Sequence, residues 1–202
     1  TENHANYALV NGVLYNKEKT KILYCPRNKK QSFTIPNGVK RIGDYCFNCV
    51  QEMPVVIIPP TVTEIGKYAL AHLNLKRLTI PNTVTSVGEG CFFYTQVEGE
   101  FQFSRNITVL PEDCFNHATQ PKTDFIRNIQ RFGKNCLSWN DSQQHNKGIL
   151  RLEKAEFIDV EAFNYIEIYG CIELFPCLKD IGKNAFESDW GRKGVAGRCR
   201  FY

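Results

Sequence analysis

Apolar residues recur along this chain with a long period, not with the short period of an amphipathic helix. Between Leu75 and Phe92 they fall at Leu75, Leu78, Ile80, Val84, Val87, Cys91 and Phe92, with polar residues or glycine at most of the positions between. The same order, apolar-x-Ile-Pro-x-x-Val-x-x-Ile-Gly-x-x-small-Phe, returns about seven times between residues 31 and 186. The closing position of each copy is Phe47, Leu70, Phe92, Phe115, Leu137, Phe163 or Phe186, at intervals of 22 to 26 residues. A fixed period in the twenties marks a solenoid.

Each copy predicts the same elements. Leu78 and Ile80 share one face of a short strand and Thr79 takes the other. Pro81 lacks an N–H and ends the strand. Val84 and Val87 then turn inward through an irregular segment. Gly43, Gly66, Gly88, Gly133 and Gly182 suit a positive φ or a close backbone approach. The small residue and the Phe fall on a short helical turn. One copy cannot bury these side chains alone, but stacked copies share a core, with strands about 4.8 Å apart in a parallel ladder. The fold class expected is therefore a repeat solenoid, a right-handed α/β or mainly β coil, with a parallel strand ladder, short helical turns and an N-terminal β-hairpin cap.

Residues 1–30 form that cap, a β-meander whose first turn is Asn11-Gly12 between apolar runs, a strong hairpin signal. Residues 31–186 carry the repeats, and 187–202 form a C-terminal cap or tail, all within one structural domain. Residues 138–148 are a polar insertion that accounts for the one long interval. Three places depart from the pattern: Pro111 and Asp159 stand where Gly is usual, and the fifth strand reads polar at Lys122-Thr-Asp124.

The motif Ile-Pro-x-x-Val-x-x-Ile-Gly-x-x-Ala-Phe, best kept at residues 57–70 and 80–92, resembles the BspA-type leucine-rich repeat of microbial surface proteins. The opening Asn11-Gly-Val-Leu-Tyr15 resembles the usual start of that family. The resemblance implies a leucine-rich-repeat fold, a secreted or cell-surface location and a role in adhesion or protein binding.

Composition adds few functions. The formal charge of +4 is spread along the chain. Its densest basic run, Arg27-Asn-Lys-Lys30, is too short for a nucleic-acid footprint. No apolar run approaches the ~18 residues of a transmembrane span. The chain opens on a polar segment without an initiating Met, which suggests a mature or trimmed sequence. No Gly-x-Ser-x-Gly, Walker loop or His-Glu-x-x-His is present, so no enzyme and no cofactor are expected.

The nine cysteines invite a metal or disulfide reading. The repeat offers a plainer one. Cys46, Cys91, Cys114 and Cys136 share the small-residue column with Ala69, Ala162 and Ala185, so they are expected as buried thiols. Cys46-Phe-Asn-Cys49 is then two structural columns three residues apart. Cys171 and Cys177 lie within one repeat, where pairing stays open, and Cys25 and Cys199 are expected to be exposed. His72 and His117 share the column two past the Phe, two rungs apart, and are expected to pack at an edge.

What remains for function is the outward side of the strand ladder. One column reads Thr34, Ile57, Thr79, Gln102, Asp124, Arg151 and Glu173. The neighbouring column includes Arg77, Glu100 and Lys122. Arg77, Thr79, Glu100, Gln102, Lys122, Asp124, Arg151 and Glu173 are the candidate protein-binding surface, with Trp139 beside the insertion as an aromatic anchor. The expected function is a non-enzymatic module that holds a protein or host-surface ligand, the chain being a monomer. The alternative is a purely structural segment of a larger surface protein.

Overall fold

The computed structural model describes residues 4–121, 123–139, 150–166, 171–187 and 198–201. Over these residues the chain winds into a β-solenoid of about seven turns, with parallel strands and almost no helix. Three antiparallel strands begin it: Tyr7–Val10, Val13–Asn16 and Lys21–Tyr24. Asn11 and Gly12 both have positive φ, 50° and 79°, as a tight hairpin turn demands.

The longest ladder lies where the sequence reading placed an irregular segment. Lys21–Tyr24 pairs in parallel with Arg41–Ile42, which pairs with Glu64–Ile65, which pairs with Ser86–Val87. The column goes on through Val109–Leu110, Arg131–Phe132, Phe157–Ile158 and Asp180–Ile181. Two residues per turn suffice because the flanking glycines extend the bonding. Gly66 N–H donates to the Ile42 carbonyl at 2.8 Å and Gly88 N–H to Ile65 at 2.9 Å. Ile22, Ile42, Ile65, Leu110, Phe132 and Ile158 point inward and are buried.

The ladder expected from the Leu-Thr-Ile run is a second face of the coil. Phe33–Thr34 pairs with Val56–Ile57, and Leu78–Thr79 with Phe101–Gln102, with a Val55–Arg77 bridge between the two pairs. It resumes at Leu150–Leu152, Cys171–Leu174 and Arg198–Phe201. Between these parts, the polar fifth copy forms a 3-10 helix over Thr123–Asn128. Its Phe125 and Ile126 fill the core that strand residues fill elsewhere. A short third pairing joins Asn74–Leu75 to Gln96–Val97.

The segment after each glycine is a run of reverse turns, not a helical turn. Cys46 N–H bonds back to Gly43 at 3.3 Å, Asn48 to Tyr45 at 3.1 Å and Val50 to Phe47 at 3.1 Å. Tyr45 and Cys49 have φ of 56° and 63°, which no right-handed helix allows. Tyr68 and His72, Gly90 and Tyr94, Asp113 and His117, Asn135 and Trp139, and Glu161 and Tyr165 repeat that pair of left-handed positions. The glycines of the Ile-Gly pair serve close approach, not a positive φ. A Cβ on Gly88 would stand 2.4 Å from the Lys67 nitrogen of the preceding turn.

The closing column is the core's spine. Phe47, Leu70, Phe92, Phe115, Leu137 and Phe163 are buried, and Phe186 is half-buried. Phe92 and Phe115 stack at 4.8 Å with planes 7° apart, and Phe103 and Phe125 meet Phe115 edge-on at 5.3 and 5.6 Å. Phe115→Ala is expected to cost about 3–5 kcal/mol, read as a lower urea midpoint at unchanged slope. Gly88→Ala forces two turns apart and is expected to cost about 1–3 kcal/mol by overpacking. Wild-type stability in either variant would contradict the stacked-column core.

Candidate binding surfaces

The second ladder presents Thr34, Ile57, Thr79 and Gln102 outward on successive turns, all exposed. Their strands bury the alternate residues Val56, Leu78 and Phe101, so the period of two sets the direction of each side chain. Arg77 and Glu100 lie one column over and are also exposed. Gln102 Nε2 donates to Glu100 Oε1 at 2.8 Å. Arg77, Thr79, Glu100 and Gln102 therefore form one continuous polar patch beside the exposed side chain of Ile57.

The strip expected over seven rungs is divided. Asp124 sits on the 3-10 helix, highly exposed, with its carboxylate 3.7 Å from the Arg127 guanidinium. It is not a strand residue, because the polar Thr123–Asn128 segment cannot offer the apolar alternation of a rung. Lys122 lies outside the described residues. Beyond the gap Arg151 is exposed, but Glu173 is only 4% exposed. Glu173 belongs to a strand paired on both sides, and its carboxylate meets Arg151 Nε at 3.0 Å. A carboxylate enters such a setting only with a partner, so Glu173 serves the frame and is not free for a ligand.

Trp139 belongs to a different face. It occupies the second left-handed position of its turn, in the column Cys49, His72, Tyr94, His117, Trp139 and Tyr165. Its ring lies 5.5 Å from that of His117 and 3.8 Å from that of Tyr165, near parallel to both. The shared column of His72, Tyr94 and His117 was legible in the repeat spacing. The stacking was not, because it depends on a left-handed backbone that Tyr and Trp seldom adopt and on contacts to rings of the neighbouring turns. Residues 140–149, which hold His145 and most of the insertion, lie outside the described residues.

The thiols divide by column. Cys46, Cys91, Cys114 and Cys136 are buried in the small-residue column, and burial pushes each thiol up from its ordinary range. Cys25, expected to be exposed, is 1% exposed. Burial pushes its thiol up to about 11, against a lowering pull from Lys29. It is buried because its N–H bonds the Cys46 carbonyl at 2.9 Å, which seats it under the first full turn. Cys177 carries a free thiol whose Sγ donates to the carbonyls of Glu153 and Ala155 at 3.2 and 3.3 Å, so it is not paired with Cys171, whose Sγ donates to the Ile172 carbonyl at 3.6 Å. The Cys199 side chain lies outside the described residues. Among the described residues no group of three His, Cys, Asp or Glu is placed to hold a metal ion, and no helix is long and apolar enough to cross a membrane.

Residues 22–144 match the BspA type leucine rich repeat region in 6 copies. No curated protein sequence matches the chain. A leucine-rich repeat protein from Eubacterium ventriosum is similar in structure over 98% of this chain and 55% of its own, with a TM-score of 0.59 and 22% identity. The chain thus spans about half the length of that protein, and the likeness is one of fold. Lower similarity extends to the pneumococcal vaccine antigen PcpA, over 63% of this chain and 42% of that one, at TM-score 0.40 and 18% identity. A leucine rich cell surface protein from Faecalibacterium prausnitzii is matched over 98% of this chain and 40% of its own, at TM-score 0.37 and 18% identity.

Two outcomes follow from the burial of the thiols. In native protein near pH 8, a thiol reagent is expected to spare Cys25, Cys46, Cys91, Cys114 and Cys136 and to label Cys49 and Cys177 first. In denaturant all nine cysteines should react, and a shortfall of two would reveal a disulfide. A raised thiol pKa means that the folded chain holds protons which the unfolded chain loses. Stability should therefore be full below the ordinary thiol value of 9.0 and should fall as pH rises from there through about 11. Denaturant midpoints at pH 7, 9 and 10.5 check this, and a flat series would contradict it.

Proposed function

Because the chain belongs to the BspA-type leucine-rich-repeat family, we propose that it is a non-enzymatic binding module of a secreted or cell-surface protein. It holds a protein partner through the outward face of the second ladder. The observation that carries this reading is the division of labour within each turn. Leu78, Ile80, Val84, Val87, Cys91 and Phe92 are buried, while Arg77, Thr79, Glu100 and Gln102 project from a frame of paired strands. A rigid frame lowers the ordering cost of binding, and solenoids offer extended surfaces of this type. Ile57, 45% exposed among these polar groups, supplies an apolar anchor of the kind found at the centre of interfaces. The antiparallel meander of residues 7–24 serves as the N-terminal cap, shielding the first turn of the stack. The Faecalibacterium protein, named as a cell surface protein, is consistent with the location.

The test is capture of surface and matrix proteins on the immobilised chain, repeated with Ile57→Ser, Arg77→Ala and Gln102→Ala. Each exposed substitution is expected to leave the melting temperature within about 1–2 °C, on the ground that surface changes stay within ±0.5 kcal/mol. Capture is expected to fall sharply in the triple variant. Retained capture would remove this face from consideration. Arg151→Ala behaves differently: it removes the guanidinium that meets the buried Glu173 carboxylate at 3.0 Å and is expected to lower stability by about 1–3 kcal/mol. It is therefore a structural control and not a binding variant.

A further inference from the structure

The second left-handed column is a row of aromatic rings that the ladder face does not involve. His72 stacks on Tyr94 at 5.4 Å, Tyr94 on His117 at 4.4 Å, His117 on Trp139 at 5.5 Å and Trp139 on Tyr165 at 3.8 Å. The planes differ by only 11° to 27°. The backbone holds the register. The N–H groups of His72, Tyr94, His117 and Trp139 donate to Phe93, Asn116, Ser138 and Asn164 of the following turn, at 2.8 to 3.1 Å. Tyr94 and Trp139 are 44% and 47% exposed although each lies between two rings. The rings spend their faces on one another and turn their edges outward.

Those edges carry imidazole nitrogens, two phenol hydroxyls and an indole N–H, donors and acceptors mixed. Beside them runs a column of Asn74, Gln96 and Thr119. Gln96 Nε2 donates to the His117 carbonyl at 3.0 Å and Thr119 Oγ1 to Gln96 Oε1 at 2.9 Å. Neither column contains a carboxylate, a lysine or an arginine. The rungs repeat at the ladder spacing, about 4.8 Å. An extended peptide shows side chains to one face only every ~6.6 Å, so it loses register with such a row within a few rungs. Nucleobases need open ring faces and cationic flanks, and the row offers neither. A linear glycan of hexose units advances by about one ring per rung and is dense in uncharged hydroxyls.

We propose that the row His72, Tyr94, His117, Trp139 and Tyr165, with the flanking Asn74, Gln96 and Thr119, is a second binding site that takes a linear neutral polysaccharide. The chain of sugars runs along the solenoid axis. Its hydroxyls bond to the polar atoms at the ring edges and to the amide column. The rings are held in place by stacking before the ligand arrives, which limits the ordering cost. This site stands independently of the ladder-face reading.

The experiment is calorimetry and tryptophan fluorescence titration of the intact chain with neutral hexasaccharides of glucose, mannose and N-acetylglucosamine, and with the matching disaccharides. At least one hexasaccharide is expected to bind saturably and more tightly than its disaccharide. Tyr94→Asn and Trp139→Asn remove rings while keeping a residue that tolerates positive φ, so the fold should survive, as circular dichroism would show. Each is expected to weaken hexasaccharide binding by about tenfold or more. The Arg77→Ala and Gln102→Ala variants should bind sugar as the wild type does. The proposal is overturned if none of the hexasaccharides binds, or if binding is unchanged in both Asn variants. It is also overturned if the Asn variants lose protein capture instead, which would make the row a protein interface.

Discussion

The hydrogen bond from one turn to the next is the interaction on which the rest of this molecule depends. A turn of some 23 residues has too few internal partners for its own N–H and C=O groups, and buried backbone groups must be paired. Here they are paired across turns: Gly43 to Ile22, Gly66 to Ile42, Gly88 to Ile65, and Phe47, Leu70 and Phe92 to the carbonyls of Ala69, Cys91 and Cys114. Such bonds set the distance between turns, and that distance leaves no room for a side chain at the Gly66 or Gly88 positions. Glycine, the period and the parallel ladders are consequences of one requirement.

The same requirement divides the side chains. Equivalent residues of successive turns sit over one another, so a column tends to stay inside or outside along the stack, Glu173 and Ile181 being exceptions. Inside, the columns become stacks: isoleucines in the first ladder, phenylalanines along the spine, and thiols where the spine leaves space for only a small group. Outside, neighbouring turns meet through pairs such as Arg41 with Glu64 at 3.0 Å, Lys67 with Glu89 at 2.6 Å and Arg131 over Phe157 at 4.3 Å. Exposed ion pairs contribute little to stability. These columns are therefore the ones that can change without loss of the frame, and both candidate surfaces lie on columns of this kind.

Much of the candidate ladder face was legible in the chain because strand side chains alternate. Thr79 and Gln102 had to point away from Leu78 and Phe101. The reading of Asp124 and Glu173 went astray because the column rule knows nothing of what neighbours do. A polar fifth copy preferred a 3-10 helix to a rung, and Glu173, which spacing alone placed outside, is buried and meets Arg151 of the neighbouring rung. Cys25 is a similar case: it precedes the first repeat, so no column predicted its burial. The aromatic row was half legible, since His72, Tyr94 and His117 share a position in the repeat, but nothing local announces a left-handed backbone at a tryptophan or tyrosine.

The sequence alone determined the period, the inward columns, the place of the glycines and the buried thiols of the small-residue column. All of these follow from local spacing and from the need of identical turns to stack. Tertiary structure decided that the Val-x-x-Ile segment is itself a strand ladder, and that a run of reverse turns stands where a helical turn was expected. It also decided that the rings of five successive turns lie face to face. The reason is common to the three. Each is stabilised by bonds and contacts to the turns above and below, and those partners lie some 22 to 26 residues away, beyond the reach of local propensity.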